Sequence, residues 1–115
     1  MIRLNVVTEP TWHDLGHGVE VLVDPIGTLA MKQAGASPAM LGTTKAAPKE
    51  VNYAIFVIEV AKIVIRDWRG VAGADDAPAP VDADHIAALL ALPQIYEAFA
   101  ALVAKAFLLV TEKNA

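Results

Sequence analysis

The apolar stretch at residues 51–70, VNYAIFVIEVAKIVIRDWRG, constrains the fold of this chain more than any other feature. Its polar residues recur at steps of three, four or seven, which places them in one thin stripe along an α-helix. The rest of the circumference is apolar, so such a helix must be covered on most sides by the remainder of the chain or by another chain. The residues of the stripe are Asn52, Glu59, Lys62, Arg66 and Arg69.

The end of this stretch has the signals of a helix C-terminus. Arg66 and Arg69 would lie in the last turn, where positive charge complements the carbonyl end of the helix dipole. Gly70 would follow as a left-handed C′ residue. A β-strand is disfavoured because the stretch is far longer than a usual strand and because its polar spacing has a period near 3.6. We therefore predict a long central helix over residues 50–70.

The composition is apolar for a chain of this size. With 115 residues the chain has the length of a single domain, which we assign to residues 1–115, and 56% of its residues are hydrophobic while 19% are charged. An apolar excess of this kind indicates a surface patch that another molecule covers. Alternatively, it reflects enrichment in alanine, which raises the count without adding much buried area. Both interpretations remain open at the level of sequence.

Charge and cysteine content exclude several classes of function. The net charge is −4 and no basic run is present, so we expect no binding to nucleic acid. The sequence contains no cysteine, which rules out disulfides and thiolate metal sites. The first residues lack the pattern of a signal peptide, and residues 53–65 are too short and too interrupted by charge to span a bilayer. We expect a cytoplasmic protein that does not associate with a membrane.

Two alternating segments near the N-terminus predict a β-hairpin within residues 1–25. Residues 2–8 alternate between apolar and polar side chains, and residues 19–23 do so again. Pro10 and two glycines predict an irregular connection over residues 9–18. We expect Trp12 in this connection to pack against the sheet or a helix.

The middle of the chain predicts a short helix and a loop. Asp24 followed by Pro25 is a good helix start, with Asp as the N-cap and Pro at the first helical position. We assign the helix to residues 26–35. Two prolines, a glycine and small residues predict a loop over residues 36–48, with a helical turn near residues 38–41.

The C-terminal part predicts two consecutive helices within residues 82–111. Asp82 is a strong N-cap candidate, and Pro93 would interrupt the first helix and begin the second. Together these patterns predict an α+β fold in which the N-terminal β-hairpin packs on a bundle of three to four α-helices.

The last helix carries more apolar residues than one packing face needs. One stripe at helical spacing is predicted to face the core: Ile95, Phe99, Leu102, Ala106 and Leu109. Four apolar residues beside that stripe are predicted to be partly uncovered and to contact a protein partner: Tyr96, Val103, Phe107 and Val110.

Candidate chemical sites are few. His13 and His17 flank Asp14 at a spacing that could hold a metal on a helix. Pro10 and the two neighbouring glycines argue against a helix and favour ordinary loop histidines, so we expect no metal. Four acidic residues, Asp75, Asp76, Asp82 and Asp84, lack the spacing and the closing Glu of a calcium loop and are interpreted as loop and cap residues.

No arrangement of residues points to an enzyme. Glu59 and Lys62 are either a buried acid and base or, more simply, an ion pair on the exposed stripe of the central helix. No nucleophile elbow and no phosphate-binding glycine loop is present, so we predict no catalytic residues and no cofactor. Trp12 and Trp68 are candidates either for binding anchors or for residues that close a core.

Taken in order, the motifs resemble a family of small proteins encoded in the tail-gene clusters of long-tailed phages, prophages and gene transfer agents of alphaproteobacteria. The resemblance covers nearly the whole chain and depends on the order of motifs that are each weakly specific. After an opening strand, these are Trp12-His13-Asp14-Leu15, His17-Gly18-Val19, a strand ending at Pro25, a long helix closing on Asp67-Trp68-Arg69-Gly70-Val71, a Pro-rich turn, Ile86-Ala87-Ala88-Leu89-Leu90, and a last helix finishing Leu108-Leu109 and Glu112-Lys113-Asn114.

This resemblance implies a tail assembly chaperone or a closely allied tail-morphogenesis protein. Such chaperones are thought to coat the aggregation-prone tape measure protein until tail tube subunits polymerise around it. The implied partner is the tape measure protein, with the tail tube protein as a second candidate, and the family brings no catalytic residues. The apolar excess separately predicts a homo-oligomer. Two alternatives remain: a structural tail or head-tail connector retained in the virion, and a small-ligand-binding domain that uses the His13 and His17 loop.

Overall fold

The computed structural model describes residues 9–42 and 48–113, with side chains up to residue 107 in the last helix. The described residues form a three-stranded antiparallel sheet and five helices, so the predicted α+β class, with a hairpin followed by helices, is confirmed. In chain order the elements are β1 (Thr11–Gly16), β2 (Val19–Val23), α1 (Thr28–Gly35), α2 (Pro38–Leu41), α3 (Lys49–Val64), β3 (Ile65–Arg69), α4 (Ala83–Leu90) and α5 (Pro93–Lys113).

The hairpin consists of β1 and β2, which pair antiparallel with Trp12 opposite Leu22. The predicted strand over residues 19–23 is confirmed, whereas the prediction of an irregular connection over residues 9–18 is wrong. The glycines that suggested a loop instead supply the turn, where Gly16, His17 and Gly18 all have positive φ. The predicted strand at residues 2–8 lies outside the described residues.

The central helix is shorter than predicted, because α3 ends at Val64 and β3 begins at the next residue. β3 pairs antiparallel with β2, so the sheet order is β1-β2-β3. Asp67 lies opposite Leu22 while Ile65 lies opposite Val23, which leaves Arg66 as an extra residue on β3. This irregularity turns both Arg66 and Asp67 to solvent, and the resulting polar spacing imitates a helix in the sequence.

Gly70 is left-handed as expected, but it follows a strand and not a helix. Its φ is +77°, and a Cβ atom at this position would collide with the carbonyl oxygen of Gly18 in the hairpin turn. A glycine is therefore required for the end of β3 to approach the turn between β1 and β2.

The core lies between the inner face of the sheet and the helices. Val21 and Trp68, which are paired across β2 and β3, both point into it. The indole Nε1 of Trp68 donates a hydrogen bond to the carbonyl oxygen of Ala79 at 2.9 Å, which holds the segment after β3 against the core. The fully buried side chains with the largest volume are Phe99, Leu90, Val21, Val57, Val60, Val64 and Val103.

Helix α1 does not start at Asp24 and Pro25 as predicted, because its first residue is Thr28 and its N-cap is Gly27. Asp24 is held beside the sheet instead. Its backbone N–H donates to the carbonyl oxygen of Val64 at 2.9 Å, and its carboxylate accepts from Nε of Arg66. These two contacts keep the chain extended past the end of β2.

The remaining helix starts agree with the sequence signals. Ser37 caps the short helix α2, whose range matches the predicted turn near residues 38–41. The Asp82 carboxylate accepts from the backbone N–H of His85 at 2.8 Å, and this bond lowers the pKa of Asp82. Pro93 is the first residue of α5. The prediction of two C-terminal helices divided near Pro93 is confirmed.

No single helix in the described ranges is long and apolar enough to cross a membrane. Helices α4 and α5, taken together up to Phe107, satisfy the length and composition criteria, but they are bent by 103° at the break between them. Such a pair is weak evidence for a span, because buried core helices of soluble proteins have the same composition.

Candidate functional site

The side chains of α5 that are buried lie on a slightly different side of the helix from the stripe predicted to face the core. Ile95, Phe99 and Val103, at steps of four, are buried, whereas Leu102 and Ala106 are only partly covered. The prediction that Val103 is partly uncovered is therefore wrong, since its side chain has no exposed area. Steps of four follow the side-chain row that α-helices commonly use when they pack against one another. The predicted core residue Leu109 has no described side chain.

Phe107 continues this row past the end of the core and is 50% exposed. Its ring centroid lies 6.4 Å from that of Phe56 on α3, and the Phe56 ring lies 6.3 Å from Tyr53. These distances are within the range of favourable aromatic contacts. Three aromatic rings thus form a continuous line across the surface of α3 and α5.

Tyr96, near the start of α5, is partly buried and lines a groove together with Tyr53. Burial raises the pKa of the Tyr96 hydroxyl above its usual value, and the nearby Tyr53 and Glu97 raise it further. Tyr53 on α3 and Tyr96 on α5 line the same groove. We call Tyr53, Phe56, Tyr96 and Phe107 the aromatic surface.

A shallow groove of about 500 Å³ lies between the two helices at the Tyr53 end of the aromatic surface. Alanines 54 and 100 leave space along its walls, and charged residues stand at its rim. We call this the α3–α5 groove. It is lined by Lys49, Glu50, Tyr53, Ala54, Tyr96, Glu97 and Ala100.

The four predicted contact residues thus have different surroundings. Tyr96 and Phe107 belong to the aromatic surface, Val103 belongs to the core, and the side chain of Val110 lies outside the described residues. Tyr53 and Phe56 were not predicted from the sequence, because its pattern indicated that α3 is covered along most of its circumference. The apolar run over residues 53–58, YAIFVI, was the available signal.

Glu59 and Lys62 form an ion pair on α3, with Nζ of Lys62 2.8 Å from a carboxylate oxygen of Glu59. The Glu59 side chain retains 12% of its exposure and that of Lys62 retains 31%. The ion-pair interpretation is the one that the structure supports. Both residues lie outside the α3–α5 groove.

His13 and His17 lie on the hairpin and not together in a pocket. Nε2 of His13 is 2.9 Å from the hydroxyl of Thr11, while His17 is exposed in the turn with a φ of +55°. Among the side chains that the structure describes, no three from His, Cys, Asp or Glu are placed to hold a metal ion. A ligand site that uses the His13 and His17 loop would need a third polar group pointing to the same place. The described residues do not supply one.

The acidic cluster divides into turn and cap residues. Asp75 accepts a hydrogen bond from the backbone N–H of Ala77, and Asp76 has a φ of +61° in the same turn. Asp82 caps α4, and Asp84 lies in the first turn of that helix. Carboxylates at such positions stabilise the backbone of turns and helix starts.

The two tryptophans have different surroundings. Trp68 is buried and closes the core between the sheet and the segment after β3. Trp12 lies on the outer face of the sheet, where the guanidinium of Arg69 is 3.8 Å from the centroid of its ring. This cation–π contact joins β1 to β3 across β2.

Comparison with models of known protein families, with curated proteins and with solved structures finds no match to this chain.

Proposed function

We propose that this chain is a non-enzymatic assembly chaperone that holds an apolar helical client, the tape measure protein of a phage tail, on its aromatic surface. The observation that carries the proposal is the line of rings from Tyr53 through Phe56 to Phe107, which is open to solvent at both ends. Clustered aromatic side chains that a fold leaves uncovered are typical of contact sites for other proteins.

The shape of the site suits a helix as the partner. Two helices border the α3–α5 groove, and Ala54 and Ala100 on its walls allow the backbone of a third helix to approach closely. An amphipathic helix laid into such a groove buries its apolar face without any covalent or metal chemistry. Tape measure proteins are long and helical, so they present faces of this kind.

The resemblance to tail assembly chaperones supports the choice of client. Several of its motif residues have structural roles in this fold: Trp68 and Leu90 are in the core, and Gly70 permits the contact between β3 and the hairpin turn. In this proposal the motif residues build the scaffold, and the aromatic surface binds the client. In this proposal the protein acts in the cytoplasm of the bacterial host and engages the tape measure protein before the tail tube forms.

Replacement of Phe107 by Ser tests the proposal. Because Phe107 is half exposed, Phe107→Ser should change the melting temperature by no more than a few degrees. The variant should nevertheless fail to keep the co-expressed tape measure protein soluble, since a buried aromatic anchor contributes about 2 kcal/mol or more to binding. Solubility is measured as the fraction of client in the supernatant after lysis.

Leu29→Ser is the matched control, because Leu29 is a large apolar residue that is 80% exposed on a different helix. This control should keep the client soluble. A Phe107→Ser protein that is folded and fully competent would contradict the proposed surface. Retention of the chain in purified phage particles would favour a structural connector over a chaperone.

A further inference from the structure

Two carboxylates in the lining of the α3–α5 groove have no basic partner among the described residues. Glu50 lies on α3 and Glu97 on α5, and both side chains are exposed. No ion pair between described residues includes either of them. Lys49 is the third charged residue of the lining, but neighbours in sequence do not face each other on a helix, so it does not neutralise Glu50. The lining is therefore net negative, and its carboxylates are available to another molecule.

The rest of the lining favours a positive charge beside apolar contacts. The α3 wall contributes Tyr53 and Ala54, and the α5 wall contributes Tyr96 and Ala100. The pKa of the Tyr96 hydroxyl is raised by burial and by the nearby Tyr53 and Glu97, so a negative charge is disfavoured there. The faces of tyrosine rings attract cations. A basic side chain therefore suits this groove better than an acidic one.

We propose that the α3–α5 groove selects an amphipathic helix whose apolar face is flanked by lysine or arginine. This inference rests on the proposed function, because it gives the chemistry of the client segment that the groove accepts. The apolar face covers Tyr53 and Tyr96, and a basic side chain at its edge meets Glu50 or Glu97. A segment with acidic flanks would leave these carboxylates beside like charges at a newly buried contact, which costs free energy. The net charge of −4 attracts the same kind of segment at longer range.

Two synthetic peptides test the selection without the natural client. Both are amphipathic helices of about 20 residues with the same face of leucine and alanine. One carries lysines at both edges of that face, and the other carries glutamates at the same positions. Fluorescence anisotropy should give a dissociation constant about tenfold lower for the lysine peptide, since ion pairs replace like-charge contacts. Raising the ionic strength from about 0.01 M to about 1 M should reduce this preference, because salt screens exposed charges.

Charge reversal in the protein provides the decisive arm. Glu97→Lys changes the net charge of the lining from negative to positive, so the glutamate peptide should now bind more tightly than the lysine peptide. Glu9→Lys is the matched control, because Glu9 is also exposed but does not line the groove. It makes the same change in the total charge of the chain and should keep the wild-type preference. Circular dichroism melting of both variants checks that the fold is unchanged.

Three results would overturn the inference: equal affinity of the wild type for the two peptides, binding of neither peptide, or the same preference in Glu97→Lys as in the wild type. The solubility assay with Phe107→Ser measures retention of the tape measure protein separately. Equal affinity for the two peptides would therefore leave the proposed function intact. Conversely, a tape measure protein that this chain does not keep soluble would contradict the proposed function while the peptide preference could still be measured.

Discussion

At the scale of single residues, Gly70 controls how β3 joins the hairpin. Its φ of +77° lies in the region that L-amino acids with a Cβ rarely adopt, and Gly18 occupies the space a Cβ would need. We predict that Gly70→Ala lowers the free energy of unfolding by at least about 2 kcal/mol, because left-handed strain and a backbone collision act together. Urea denaturation measures the loss.

Gly35→Ala is the control for this prediction. Gly35 is the last residue of α1, its φ is not left-handed, and nothing lies near the position of an added Cβ. We expect this change to be neutral or to stabilise the protein by up to about 1 kcal/mol. Equal effects of the two substitutions would show that the close approach of Gly70 to Gly18 is not what requires a glycine.

At the scale of elements, the observed packing of α5 predicts that its stability depends more on Val103 than on Leu102. Val103→Ala removes two methyl groups from a fully buried site and should lower the free energy of unfolding by about 2 kcal/mol. Leu102→Ala removes more carbon atoms from a partly exposed site, yet should lower it by about 1 kcal/mol or less. Chemical denaturation of both variants gives the comparison.

If Leu102→Ala lowered the free energy of unfolding more than Val103→Ala, the stripe predicted from the sequence would be the buried one, and the packing described here would be contradicted. The sequence could not decide between the two, because Leu102 and Val103 are neighbours and both are apolar. Only the position of α3 and of the sheet relative to α5 determines which one is covered. Periodicity gives the existence of an apolar face, and tertiary packing gives its direction.

The same distinction explains which elements could be predicted. Asp82, Ser37 and Pro93 mark helix starts through local chemistry, and that chemistry is visible in the sequence. The strand β3 depends on pairing with β2, which lies far earlier in the chain, so no local signal separates it from the end of α3. β1 is hidden for a different reason: its partner β2 is close in the chain, but the glycines that form the left-handed turn between them suggested an irregular loop.

At the scale of the whole molecule, the uneven covering of the helices creates the candidate site. The buried residues of α3 all lie in its second half, at positions 57, 60, 61 and 64, while the side chains of its first half are exposed or half-buried. The sequence predicted surplus apolar residues and identified Tyr96 and Phe107 among them. It could not place Tyr53 and Phe56 beside them, because that proximity arises from the crossing of two helices.

The measurement that tests the central claim most directly is photo-crosslinking from position 107 in the presence of the co-expressed tape measure protein. A photoreactive phenylalanine analogue at this position replaces one half-exposed aromatic ring by another, so the fold should be kept. We predict crosslinks to the client from position 107 and none from the same analogue at position 29 on α1. Crosslinks from position 29 with none from position 107 would contradict the assignment of the aromatic surface as the client-binding site.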